Sequence, residues 1–144
     1  MNKAVIMAGG FGTRLRPLTT SIPKPMVPLI NVPMMEHIVN LLKSHDITDI
    51  VSLLYYQPDV IKNHFGTGDN FGITMQYREA AADYGTAGSV RNAADLLNDR
   101  FIIISGDVLT DFDISAALEF HKQKGAKATI MLTRVPNPLQ FGIV

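Results

Sequence analysis

Cysteine is absent from the 144 residues, which excludes disulfides, thiolate nucleophiles and any zinc site built on cysteine. That suits a cytoplasmic setting. Net charge is absent as well, since 13 lysines and arginines balance 13 aspartates and glutamates. A neutral chain offers no broad surface for nucleic acid or for a membrane. Any basic site must therefore be a local cluster. Long apolar runs are missing too. The first one, Ala4 to Ala8, stops at Gly9-Gly10, too soon for a signal peptide or a membrane span. No internal repeat, low-complexity tract or interdomain linker interrupts the chain.

What is present is the composition of a folded domain, 47% hydrophobic and 18% charged, well away from disorder. Strand-like and helix-like segments alternate. Ala4 to Ala8 has the unbroken apolar character of a strand buried on both faces. A helix is expected from Pro33 to about His45, where Pro33 suits the first helical position. Its Met34, Met35, Ile38, Val39, Leu41 and Leu42 share one stripe. Asp49 to Leu54 reads as a strand, Pro58 to Phe65 as a short helix closed by Gly66, and Ile73 to Arg78 as a half-buried strand. Thr86 to Leu97 reads as a helix and Phe101 to Ser105 as the strongest strand. Asp113 caps a helix that reaches Lys124 and stops at Gly125. Ala128 to Thr133 is expected to be a further strand. This order predicts an α/β fold: an open, mostly parallel Rossmann-like sheet with helices on both faces. Such sheets bind ligands at the carboxyl ends of their strands.

The chemistry concentrates in the segment from Gly9 to about Val32. Loops of that length in compact domains are usually functional. It begins Gly9-Gly10-Phe11-Gly12-Thr13-Arg14-Leu15-Arg16-Pro17-Leu18-Thr19 and continues to Pro23-Lys24-Pro25. Glycines let a backbone approach phosphates closely, and their N–H groups cradle anions. Arg14, Arg16 and Lys24 add three cations, with no carboxylate from residue 9 to 35. The prolines flanking Lys24 stiffen its backbone. A dinucleotide fingerprint is excluded because Gly10-Phe11-Gly12 lacks the third glycine, which disfavours an NAD-dependent oxidoreductase. A Walker loop is excluded because Thr13-Arg14 stands where lysine and serine or threonine belong.

Gly9-Gly10-x-Gly12-Thr13-Arg14-Leu15-x-Pro17-Leu18-Thr19 with Pro23-Lys24-Pro25 resembles the signature of the sugar-1-phosphate nucleotidylyltransferases. Gly85-Thr86-Ala87-Gly88 and Ser105-Gly106-Asp107 resemble two later motifs of that family. The resemblance implies in-line attack of a sugar 1-phosphate oxygen on the α-phosphorus of a nucleoside triphosphate, with pyrophosphate leaving. It places Arg16 on the pyrophosphate and Lys24 near the α-phosphate, and gives Arg14 a supporting part. The backbone of Ala8, Gly9 and Gly10, with Gly12 and Thr13, would line the nucleotide site. Gly85 and Thr86 would lie beside the base, with Gly106 also against the nucleotide. Asp107, at the end of a strand, would hold Mg²⁺. Asp111 and Asp113 compete for that part, but a turn and a helix cap suit them better. The Gly-Thr-Ala-Gly form is most similar to the GDP-mannose pyrophosphorylase branch, which implies GTP and mannose 1-phosphate. Uridylyl or thymidylyl transfer to glucose 1-phosphate is the alternative within the family. A non-catalytic module that binds nucleotide sugar is the alternative of another class.

None of His37, His45, His64 and His121 makes a convincing metal pair, and His121 is expected on the apolar stripe of its helix. The methionines read as core filler. The final Gln140-Phe141-Gly142-Ile143-Val144 resembles the stretch that opens the second half of the family's catalytic domain. Residues 1–144 are thus expected to be the N-terminal nucleotide-binding part, without the sugar-binding half. Such a piece is expected to bind nucleotide weakly and turn over poorly. The base, the sugar and the oligomeric state, homo-oligomers included, are left open by the sequence.

Overall fold

The structure, a computed structural model, describes residues 3–137 and 139. Its strands are β1 (Lys3–Ala8), β2 (Pro28–Leu29), β3 (Val32–Pro33), β4 (Asp49–Leu54), β5 (Thr74–Glu79) and β6 (Phe101–Ser105). The helices are α1 (Met34–Ser44), α2 (Pro58–Phe65), α3 (Gly85–Asn92) and α4 (Ile114–Lys124). Two compact units divide the chain between residues 111 and 112. No helix among the described residues is long and apolar enough to cross a membrane.

In the first unit, β5, β4, β1 and β6 form a parallel sheet in that order. This is the doubly wound arrangement expected from the alternation of strands and helices. β1 is central, and Ala4, Val5 and Ile6 are fully buried. Successive side chains of a strand point to opposite faces, so burial of three in a row requires cover on both. One face packs Val5, Val51 and Leu53 against Ala93, with Met7, Val90, Leu96 and Leu97 around them. α1 buries Met35, Ile38, Val39 and Leu42, four side chains of the expected stripe. Each such burial stabilises the fold by roughly 1.5–3 kcal/mol.

The register decides where the site can lie. Ala8 is level with Leu54, Leu54 with Glu79, and Met7 with Ser105. All four strands therefore end side by side, and the loops leaving them share one edge of the sheet.

Several expectations are corrected. Ala128–Thr133 is not a strand: it has no ladder partner among the described residues, and Ile130 and Leu132 are 72% and 59% exposed. A strand is made by a neighbour's hydrogen bonds, which β-propensity alone does not supply. α3 ends at Asn92, and Ala94–Leu96 form a separate 3-10 turn. Pro33 is extended, with ψ 140°, and stands just before α1 rather than inside it. His121 donates to or accepts from the Thr129 hydroxyl at 2.9 Å, so it is a hydrogen-bonded residue and no part of an apolar stripe.

Elsewhere the local chemistry matches. In the second unit, the Asp113 carboxylate accepts from the Ala116 N–H at 2.9 Å and caps α4. Gly125 closes that helix at φ 54°, a left-handed conformation that glycine adopts without strain.

Candidate functional site

The loop after β1 is built on one folded-back contact. Gly12 takes φ 62°, and its carbonyl accepts from the hydroxyl of Thr19 at 2.7 Å. Thr19 is fully buried, so this bond satisfies a polar group that has no water to turn to. A Cβ on Gly12 would lie 2.9 Å from Thr19 Cγ2 and 3.1 Å from Lys24 Cβ. Both the positive φ and this crowding call for glycine. The loop thereby brings Lys24 beside its own start. Pro23 and Pro25 are buried on either side of Lys24, and Met26 N–H bonds back to Pro23 at 2.8 Å. The stiff backbone expected from the two prolines is thus a 3-10 turn wedged into the core.

Aromatic side chains fasten the same loop to the end of β4. The Phe11 ring meets Tyr55 edge to face at 5.5 Å and Tyr56 at 5.3 Å. The β6 side is closed by Gly106, whose N–H bonds to Met7 at 2.8 Å. A Cβ there would stand 3.0 Å from the Met7 oxygen. Gly106 thus lets the turn after β6 press against β1, which positions Asp107.

Between these loops lies a cavity of about 290 Å³. Ala8, Gly9, Gly10, Lys24, Gly85, Thr86 and Asp107 line it, and these are seven of the residues singled out in the sequence. Gly12 and Gly106 act through packing and are not on its wall. Thr13, Arg14 and Arg16 are exposed and likewise off the wall. The Lys24 ammonium and the Asp107 carboxylate form an ion pair at 2.6 Å.

Other wall residues carried no signal in the sequence. Phe11, Tyr55 and Tyr84 supply ring surface, Arg78 a second cation, and Asp83 a second carboxylate. Arg78 pairs with Asp95 through one guanidinium nitrogen, while its buried Nε has no hydrogen-bond partner. Alternation puts Arg78 on the same face of β5 as the exposed Thr74 and Gln76, so the strand pattern gives no sign of it. Asp83 stands two residues before Gly85, in a spacing that suits an Asx turn, and its carboxylate accepts from the Gly85 N–H at 3.0 Å.

Residues 3–144 match the nucleotidyl transferase family. The chain belongs to that family. It is 40% identical to mannose-1-phosphate guanylyltransferase 1 of Arabidopsis thaliana, over 99% of this chain and 41% of that protein. It is 38% identical to the mannose-1-phosphate guanylyltransferase of Mycobacterium tuberculosis, over 98% and 40%. Among solved structures, it is similar to a Bacillus anthracis protein assigned as a glucose-1-phosphate thymidylyltransferase. The TM-score there is 0.78 at 34% identity, over 85% of this chain and 51% of that one. HddC of Yersinia pseudotuberculosis, solved with GMP-PN, gives 0.75 at 29% identity, over 84% and 54%. The chain thus spans about two fifths of the length of the curated relatives it matches. The family resemblance read from the glycine loop, the Gly-Thr-Ala-Gly segment and Ser-Gly-Asp stands, as does the fold expected from it.

The donor set bears on a metal. No cluster of three or more His, Asp or Glu able to hold an ion occurs among the described residues. One half-buried carboxylate, Asp107, faces the cavity beside Lys24. That does not make a resident metal site. It does fit Mg²⁺, which commonly uses one or two carboxylates and completes its shell with substrate phosphate oxygens and water.

Proposed function

We propose that residues 1–144 form the nucleotide-binding part of an enzyme that transfers a nucleotidyl group from a nucleoside triphosphate to a sugar 1-phosphate. GTP and mannose 1-phosphate are the favoured pair. The observation that carries this reading is the meeting of the glycine loop, Lys24, Asp107 and the Gly85-Thr86 segment on one cavity at the carboxyl ends of the strands. The names of the guanylyltransferase relatives support the choice of pair.

In this reading a phosphate oxygen of the sugar 1-phosphate attacks the α-phosphorus. The bond from that phosphorus to the bridging oxygen breaks, and the electron pair leaves with pyrophosphate. The protein's part is positioning and charge neutralisation. The N–H groups of Ala8 to Gly10 face the nucleotide, and Lys24 faces the α-phosphate and the incoming phosphate. Arg16 and Arg14, exposed on the loop, close onto the pyrophosphate and support the loop. Gly85 and Thr86 take the base. Mg²⁺ held by Asp107 would neutralise phosphate charge.

The second reading, glucose 1-phosphate as acceptor with UTP or dTTP, is favoured by the likeness to the Bacillus anthracis protein. A cytoplasmic setting goes with either, as both draw on nucleoside triphosphate. This length of chain is expected to bind nucleotide weakly and to turn over poorly. Measurable pyrophosphate exchange by it would overturn that expectation.

A thermal-shift panel of GTP, UTP, dTTP, ATP and CTP with Mg²⁺ tests the reading. A ligand that binds only the native state raises its melting temperature according to affinity. A GTP-selective rise supports the mannose reading, and a UTP- or dTTP-selective rise the glucose one. No rise with any of the five contradicts both.

A further inference from the structure

Asp83 is a wall residue of the cavity to which the reaction above gives no part. It stands next to Tyr84 and two residues before Gly85, both also on the wall. One carboxylate oxygen accepts from the Gly85 N–H at 3.0 Å, which fixes the side chain at the start of α3. Gly85 itself has φ 63°, and nothing lies within 4 Å of where its Cβ would be. There is thus open space beside the segment proposed to take the base. The other wall carboxylate, Asp107, is held by Lys24. No ion pair engages Asp83 among the described residues.

We propose that the Asp83 carboxylate is a specificity-determining group that selects guanine through its paired N1–H and 2-amino donors. This deepens the proposed function and rests on its placing of the base at Gly85.

The argument is one of donor and acceptor patterns. An ionised carboxylate only accepts. Guanine alone among the common bases offers two adjacent donors on its Watson–Crick edge. Uracil and thymine offer one N–H between two carbonyl oxygens, and those oxygens are repelled by a carboxylate. Adenine and cytosine each place a ring-nitrogen acceptor beside their amino group. Hydrogen bonds to an ionised acceptor are the stronger kind. A polar group built to bond a substrate discriminates by being left unpaired with the wrong one.

Asp83→Asn tests this without dismantling the turn, because the amide oxygen still accepts from Gly85 N–H while the amide nitrogen now donates. Xanthosine triphosphate carries an oxygen where guanosine triphosphate carries the 2-amino group, and inosine triphosphate has only hydrogen there. Affinities of the wild-type chain and of Asp83→Asn are measured for all three with Mg²⁺, with melting temperatures as a folding control. The wild-type chain is expected to bind GTP about tenfold to a hundredfold more tightly than XTP, with ITP between them. In Asp83→Asn the GTP-to-XTP ratio is expected to fall by at least about tenfold, with XTP gaining in absolute affinity. Two results overturn the proposal and differ in what else they remove. If triphosphates bind but Asp83→Asn leaves the ratio unchanged, Asp83 is only a turn residue and the nucleotide site stands. If no nucleotide binds the wild-type chain, the proposed function falls and this inference falls with it.

Discussion

The Lys24 ammonium and the Asp107 carboxylate meet at 2.6 Å, joining the loop after β1 to the turn after β6. Each residue was assigned to a different partner from the sequence, one to phosphate and one to metal. In the structure each is the other's partner. A triphosphate that needs Lys24 must then compete with Asp107, unless a cation takes the carboxylate.

Asp107→Asn is therefore expected to separate affinity from metal dependence. Without Mg²⁺, the variant should bind a nucleoside triphosphate more tightly than the wild-type chain, by roughly twofold to fivefold, since a partly exposed ion pair is worth up to about 1 kcal/mol. With Mg²⁺ it should gain little. Titrations in EDTA and in Mg²⁺ read both effects. A variant that binds more weakly in EDTA would show that Asp107 does not restrain Lys24.

Gly12 and Thr19 hold the loop in shape, so both are expected to be costly to change. Gly12→Ala adds left-handed strain and a Cβ placed 2.9 Å from Thr19 Cγ2, together roughly 2–4 kcal/mol. Thr19→Val keeps the volume but removes one of the two bonds to the Gly12 carbonyl, which still accepts from the Leu15 N–H at 2.9 Å, at about 0.5–1.5 kcal/mol. Urea unfolding measures each. A loss below about 0.5 kcal/mol in either variant would mean the surroundings relax around the change.

Tyr77 gives a pH dependence with a definite sign. Burial pushes its phenol from the ordinary value of 10.0 up to about 12, and its hydroxyl donates to the Gly66 carbonyl at 2.7 Å. Between those values the unfolded chain has lost the proton and the folded chain still holds it. The unfolded state binds fewer protons there, so stability falls as pH rises. This contribution is full below pH 10 and is lost as pH passes 12. The stability difference between the wild-type chain and Tyr77→Phe is expected to shrink over that window. A difference that stays flat would show that the phenol is not perturbed.

Most of the scaffold was legible because its signals are local. The strand from Asp49 to Leu54 and the helix from Pro58 to Phe65 have the expected bounds. So does α4, marked at its ends by Asp113 and Gly125. The break after Asn92 was not legible. Val90, Ala93, Leu96 and Leu97 hold helical spacing, and all pack on one cluster, whether or not the backbone between them is regular. The segment Ala128–Thr133 failed for the opposite reason, as its residues favour a strand but a strand is completed by another segment. In the site, the glycine loop could be read directly, since φ and close approach leave their mark on residue type. The pairing of Lys24 with Asp107 could not, because it depends on the register that brings the ends of β1 and β6 level. Asp83 was missed because a lone aspartate before a glycine looks like an ordinary turn.

The central claim is that a nucleoside triphosphate sits at the carboxyl ends of the parallel strands, and amide NMR during a titration tests it most directly. Adding GTP with Mg²⁺ to the isotope-labelled chain is expected to give saturable shifts at Ala8, Gly9, Gly10, Gly85, Thr86 and Asp107. Thr48 and Asp49, at the opposite end of β4, should stay in place. Shifts that fail to saturate, or that gather at the amino ends of the strands, would contradict it.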